Sequence, residues 1–375
     1  MTDHVPAPRR SRLALSLGLA FQFAALLIVW EIALRVVWER PGDDSPRAFA
    51  PDPAYGFAPV PGASGVHVSG EYSAGFDHGQ YGFRSDDLAV DAPGARERVL
   101  VLGDSQTYGL GVPEGEGFCD RLIESFDSRI ALVNAGCNGY GTRNSLAVLH
   151  HFGEVWRPDR VWLVFFWNDL EDDWSRSEPQ FARDAQGQLI SSAALPAAWT
   201  PLSRAGLPET EPRPERFQSR LALFLKERTR PWRYRWLGSK ARDIASVEDR
   251  DMAWKTQRDL LKAVRDRTAE LGAELTVIAL PNQTQIDPSA AIPSIRPLNY
   301  DVQERLFEVC RELGVRTFDL RPALRAAFEE TDQPLYYFAD RHLTPRGHAV
   351  VASALQAALL EPTAPNPATS AAQAQ

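Results

Sequence analysis

Five short, unbroken apolar runs limit most strongly how this chain can fold. They are VLVL at 99–102, IALVN at 130–134, VWLVFF at 161–166, ELTVIAL at 274–280 and VRTFDL at 315–320. A strand that is apolar at every position, not at every second one, has both faces buried. Between the runs lie segments of helical periodicity, at 116–127, 142–156, 250–271, 299–313 and 345–360. Continuous strands alternating with helices predict an α/β fold, a three-layer α/β/α sandwich around a parallel sheet. The rhythm runs from 98 to 360, so one domain is expected there, and no internal repeat is visible.

The N-terminus has a different character. Arg9, Arg10 and Arg12 precede an uncharged apolar run from Leu13 to Trp30. Such a run is about the shortest that crosses a bilayer as a helix. The continuation EIALRVVWER carries the pattern to Trp38, with Trp30 and Trp38 as interfacial aromatics and Glu31 and Arg35 near the far interface. The arginines predict a cytoplasmic tail at 1–12, a membrane anchor at 13–38, and the rest of the chain on the extracytoplasmic side, which is the periplasm in a Gram-negative cell. A cleaved signal peptide is the rival reading. The apolar run is long for one, and AFA at 48–50 lies far downstream and is followed by Pro51.

Residues 39–97 are rich in Gly, Pro and Asp and end in YGFRSDD, which reads as an extended lead-in with a strand or two. Residues 170–249 break the α/β rhythm. They contain no clear strand but hold Trp174, Trp199, Trp232, Trp236 and the stretch RFQSRLALFLKERTRPWRYRWLG. A structureless loop of that length is unusual in a compact domain, so a small helical insertion is expected, packed on the sheet domain. A cap over the substrate and a membrane-facing role for RTRPWRYRWLG are the alternatives. The tail 361–375 is rich in Pro and Ala and is expected to be disordered.

Composition excludes several classes. A net charge of −8 gives no electrostatic case for nucleic acid. Cys119, Cys137 and Cys310 have no metal-ligand spacing and cannot form a disulfide framework. They read as small buried hydrophobes, with one bridge and a leftover thiol as the alternative. Nothing in the chain calls for a metal or an organic cofactor, and nothing sets the oligomeric state.

Chemistry gathers where the strands end. The first run flows into GDS at 103–105, so Ser105 stands at the carboxyl end of a parallel strand, where open α/β sheets bind ligands. After the second run comes NAGCNGYG at 134–141. Gly139 lacks a Cβ and can bring its N–H close to a ligand. After the third comes FFWNDLEDD at 165–173, where the Asn168 amide would project into the same crevice. The block DRHLTPRGH at 340–348 precedes the last helix, whose start is marked by Thr344 and Pro345. Asp340 and His342 lie two apart, so in an extended segment their side chains point the same way. His348 reads as a packing residue, Asp104 as a ligand of nearby backbone N–H groups, and His67, His78, His150 and His151 have no partner pattern.

GDS at 103–105, the glycine of NAGCNGYG, the ND of WND at 167–169 and the D-x-H…GH block at 340–348, in this order, resemble the SGNH/GDSL hydrolase superfamily. The resemblance covers 98–360 apart from the insertion, and GFR at 82–84 looks like the membrane-anchored bacterial members. It implies the flavodoxin-like version of the sandwich. It also implies Ser105 as nucleophile, His342 as base and Asp340 as its orienter, with Ser105 N–H, Gly139 N–H and the Asn168 amide as the oxyanion hole. Two details depart from the common pattern: Asp340 and His342 are two apart where three is usual, and Trp167 stands where many members have Gly.

The expected activity is ester hydrolysis by a Ser-His-Asp mechanism, on acyl or O-acetyl esters of envelope or secreted polysaccharide. The sequence leaves two alternatives open. One is an O-acyltransferase with the same triad, which with a single span would need a partner to carry its acyl donor across the membrane. The other is a non-catalytic glycan-binding or assembly protein.

Overall fold

The computed structural model describes residues 12–38, 48–52, 55–84, 97–126, 130–175, 181–183, 189–191, 219–229, 247–287, 302–331 and 333–360. The tails expected up to residue 11 and from 361, and the RPWRYRWLG part of the aromatic stretch, lie outside the described residues.

The apolar runs form one parallel sheet. Its strands are β5 (Glu97–Gly103), β6 (Ile130–Gly136), β7 (Arg160–Phe165), β10 (Glu274–Ala279) and β11 (Arg316–Asp319), in the spatial order β11-β10-β7-β5-β6. Counted along the chain this is 2-1-3-4-5, the flavodoxin-like order. Leu100 and Leu102 of β5 pack toward α4 (Thr142–Trp156), α7 (Val247–Glu270) and α9 (Val302–Leu313). Val99 and Val101 pack toward α3 (Phe118–Ser125), α10 (Arg321–Glu330) and α11 (Pro345–Leu360). Each face of the strand therefore has its own core, which is why no position in the run is polar. Burial of one such side chain contributes about 1.5–3 kcal/mol.

Among the described residues, four helices are not expected from the sequence: α2 (Ser105–Tyr108), α5 (Asp169–Ser175), α8 (Gln283–Ile286) and α10. α2 and α8 are one turn long, too short to show a period. α10 did carry a readable start, since Asp319 Oδ1 accepts from Arg321 N–H at 2.9 Å and Pro322 sits in the first turn.

The lead-in is more ordered than a strand or two. β1 (Phe49–Asp52) pairs antiparallel with β2 (Gly56–Pro59), and β3 (Ser64–Val68) with β4 (Ser73–Asp77). Tyr55 and Phe83 are 1% exposed and join the core on the α4 side, where Phe83 meets Phe152 and Trp156 edge to face. These partners lie far away in sequence, so no local pattern announces them.

α1 (Arg12–Val37) is apolar and exposed along most of its length, and it is long and apolar enough to cross a membrane. A membrane anchor and a signal sequence both have this character. The insertion departs from expectation twice. β8 (Phe181–Arg183) and β9 (Leu189–Ser191) form a small antiparallel pair. α6 (Arg220–Arg228) packs on the end of α1, not on the sheet. The Glu31 carboxylate accepts from Ser219 Oγ at 2.8 Å and from the N–H groups of Arg220 and Leu221 at 2.9 and 3.0 Å, and Phe224 meets Trp38 edge-on at 5.4 Å. The reason is local: the first N–H groups of a helix have no acceptor of their own, and a carboxylate supplies one.

Candidate active site

β5 ends at Gly103, and Asp104 caps the next turn, its Oδ1 accepting from Gln106 N–H at 2.9 Å. This puts Ser105 first in α2, at the point where the chain leaves β5 for β6 on one side while β7 lies on the other. In open α/β sheets, ligand-binding crevices form at such switch points. The turn fits over the sheet because residue 136 is glycine: a Cβ there would lie 2.5 Å from the Tyr108 nitrogen.

His342 lies between α10 and α11. Its Nε2 is 2.8 Å from Ser105 Oγ, and its Nδ1 is hydrogen-bonded to Asp340 Oδ1. The two side chains meet, but not by way of an extended segment. Arg341 N–H donates to the Tyr337 carbonyl at 3.0 Å, and Arg341 itself is left-handed, with φ 70°. A turn with one left-handed residue swings Asp340 and His342 to the same side. For a non-glycine residue that conformation costs about 1 kcal/mol or more. It is held by Gln106, whose Nε2 donates to the Arg341 carbonyl at 3.1 Å and whose Oε1 accepts from Leu343 N–H at 3.0 Å.

Gly139 and Asn168 lie in the loops after β6 and β7, the strands flanking β5. Gly139 has φ 80°, a left-handed conformation that favours glycine. The Asn168 amide nitrogen donates to Asp172 Oδ2 at 2.9 Å, which fixes which end of the amide is the donor. Below it, Asp169 is buried and accepts from Phe166 N–H at 3.2 Å. Burial, and then the Asp104 charge, push the Asp169 carboxyl well up, and burial raises Asp104 to about 6. Asp173 caps α4 by accepting from Thr142 and Arg143 N–H at 3.0 and 3.1 Å.

His348 is buried, stacks on Phe118 at 5.8 Å, and accepts from Phe118 N–H through Nδ1 at 3.2 Å. Burial pushes its pKa down to about 3, so it is a neutral packing residue. Cys119, Cys137 and Cys310 are buried and are not joined to one another by a disulfide. Among the described residues no cluster of His, Cys, Asp or Glu could hold a metal ion.

Several contributors escaped the sequence reading. His67 and His78, given no role, both reach the Tyr108 hydroxyl through Nε2, at 3.0 and 2.9 Å. Burial pushes each to about 4. Arg84 is buried and donates through Nη1 to the carbonyls of Tyr108, Gly109 and Val112, and through Nε to Glu114 at 2.8 Å. It thus braces the loop that follows Ser105. The GFR signature marked its position, but no local pattern shows that a guanidinium will be buried. Gln106, next to the serine, has no sequence signal beyond that adjacency.

A serine hydroxyl on an imidazole backed by a carboxylate, at the carboxyl edge of a parallel sheet, is an arrangement suited to acyl transfer. The model of the GDSL-like lipase/acylhydrolase family matches residues 101–350, and the chain belongs to that family. It is an ester-hydrolysing enzyme. No curated protein matches the chain significantly. Among solved structures, a variant of the acetylxylan esterase Axe2 from Geobacillus stearothermophilus is 13% identical with a TM-score of 0.39, covering 72% of this chain and 96% of that one. A member of the lipolytic G-D-S-L family from Veillonella parvula is 15% identical with a TM-score of 0.39, covering 70% and 97%. LAE5, an α/β hydrolase from the metagenome of Lake Arreo, is 15% identical with a TM-score of 0.39, covering 71% and 96%.

Proposed function

We propose that the chain is a membrane-anchored serine esterase that removes acyl groups, O-acetyl groups foremost, from envelope or secreted polysaccharide. The observation that carries the catalytic part is the 2.8 Å approach of Ser105 Oγ to His342 Nε2, with Nδ1 of the same ring on Asp340. Neutral His342 accepts the Ser105 proton as Oγ attacks the acyl carbon. The carbonyl oxygen becomes an oxyanion, met by Ser105 N–H, Gly139 N–H and the second N–H of the Asn168 amide, whose first is engaged by Asp172. The imidazolium returns the proton to the leaving alcohol, and the acyl group stays on Oγ. Water, deprotonated by the same ring, then releases the acid and restores the serine. Asp340 holds the Nδ1–H tautomer throughout and stabilises the imidazolium.

The membrane part rests on α1, whose apolar surface is exposed and whose N-terminal flank carries Arg9, Arg10 and Arg12. An anchor of this kind puts residues 39–97 and the hydrolase domain at 98–360 on the extracytoplasmic side, beside envelope glycans.

Fluorophosphonate labelling followed by peptide mapping tests the nucleophile before any substrate is known. Modification at Ser105 is expected. A folded protein that resists the probe would leave the non-catalytic, glycan-binding reading in its place. Release of acetate from acetylated glycan, against transfer to an added sugar acceptor, separates hydrolase from transferase.

A further inference from the structure

The turn that joins β3 to β4, SGEY at 69–72, reaches the segment that carries Asp340. The Glu71 carboxylate accepts three backbone N–H groups there: Phe338 at 2.9 Å, Ala339 at 2.9 Å and Asp340 at 2.7 Å. The next residue, Tyr72, sets its ring 5.0 Å from that of Tyr337 and lies near Asp340, whose charge, after burial, pushes the phenol up. Tyr337 in turn donates its hydroxyl to the Gly111 carbonyl, in the loop after Ser105, at 2.9 Å.

Three consecutive N–H groups converging on one carboxylate fix the backbone of 338–340 as a unit. That unit is the near side of the turn in which Arg341 is left-handed. A strained turn persists only where its surroundings over-determine it. Glu71 holds this turn from one side, and Gln106 holds it from the other. Tyr72 packs on Tyr337, at the head of the same turn, beside the carboxylate that is bonded to the imidazole.

We infer that Glu71 and Tyr72 are positioning residues of the ester-hydrolysing site, so that the lead-in hairpin is a part of the active site and not a tether between anchor and enzyme. The inference rests on the proposed Ser105–His342–Asp340 machinery. Glu71 touches no reacting atom and acts through the Asp340–His342 pair. The lead-in lies ahead of the 101–350 segment matched by the family, so this support is an addition to the segment that defines the family.

The test uses the full chain in detergent, with p-nitrophenyl acetate turnover, fluorophosphonate labelling rate, circular dichroism and melting temperature read for Glu71→Ala, Glu71→Gln, Tyr72→Phe, Asp340→Asn and the double variants. Displacing the pair by about 1 Å costs up to about 10²-fold, so Glu71→Ala is expected to lose about that much in kcat while KM changes by less than about threefold. Labelling slows in parallel. Glu71→Gln keeps one acceptor oxygen and recovers part of the loss. In the Asp340→Asn background Glu71→Ala and Tyr72→Phe cost less than about threefold, because residues that act through one group are not additive. If Glu71→Ala does not fold, Tyr72→Phe, which leaves the backbone contacts whole, decides the matter by the same cycle. Wild-type kcat in folded Glu71→Ala and Tyr72→Phe, or losses that add in full to that of Asp340→Asn, would overturn the inference alone. Normal turnover in Asp340→Asn, or unlabelled Ser105 in the wild type, would remove the catalytic machinery itself and this inference with it.

Discussion

Gln106 donates to the Arg341 carbonyl at 3.1 Å, and through its other amide atom it also takes the N–H of Leu343 at 3.0 Å. The residue after the serine thus grips the chain on both sides of His342. Gln106→Leu leaves a carbonyl and an N–H unpaired in the site, which costs about 2–3 kcal/mol. A lower melting temperature together with a slower fluorophosphonate reaction is expected, and an unchanged labelling rate would show that the grip is dispensable for the Ser105–His342 geometry.

Ser105→Ala should abolish turnover of p-nitrophenyl acetate, by about 10⁶ in kcat, with an unchanged far-UV circular dichroism spectrum. Ser105 sits at the end of a strand and its Oγ serves no other named contact than His342, so the fold has little to lose. Turnover at the wild-type rate would end the assignment of this site.

Asp340→Asn keeps the shape of the side chain but favours the wrong imidazole tautomer. The expected loss is about 10⁴ in kcat with little change in melting temperature. A fall in melting temperature beside normal turnover would make Asp340 a structural residue of the turn.

His348 gives a stability prediction with a definite sign. Its pKa is about 3 in the folded chain against 6.5 for an exposed histidine. The unfolded chain therefore binds a proton first as pH falls. The contribution of His348 to stability is full above 6.5 and is lost progressively between 6.5 and about 3. Asp104 and Asp173, both raised to about 6 by burial, act in the opposite sense: their contribution is full below about 3.8 and is lost as pH rises through about 6. Melting temperature measured from pH 7 to pH 4 should fall less steeply in His348→Phe than in the wild type. Parallel curves would mean that His348 takes up its proton as readily in the folded chain as in the unfolded one.

If α1 anchors the chain, a C-terminal reporter active only outside the cytoplasm will be active, and its cytoplasmic counterpart silent. The mature chain should be extracted by detergent and not by high salt. Recovery of a soluble species beginning beyond Trp38 would favour a cleaved signal.

What the sequence determined by itself is what neighbouring residues decide among themselves. The five parallel strands are legible because each is short, apolar at every position and bounded by turn residues. α4 and α11 are legible because a long helix repeats its apolar face. Ser105, Asn168 and the Asp340–His342 block are recognisable because each sits within a few residues of a strand end or a helix start. The tertiary structure decided what depends on residues far apart in the chain. Asp340 and His342 meet because Arg341 turns left-handed, and that conformation is held by Gln106 and Glu71, more than two hundred positions away in each case. Arg84 is buried because three carbonyls of a distant loop converge on it, and Glu31 finds the start of α6 only once both helices exist. A hydrogen bond across such a distance leaves no period and no composition in either segment, since either partner alone is an ordinary surface residue until the fold brings the other to it.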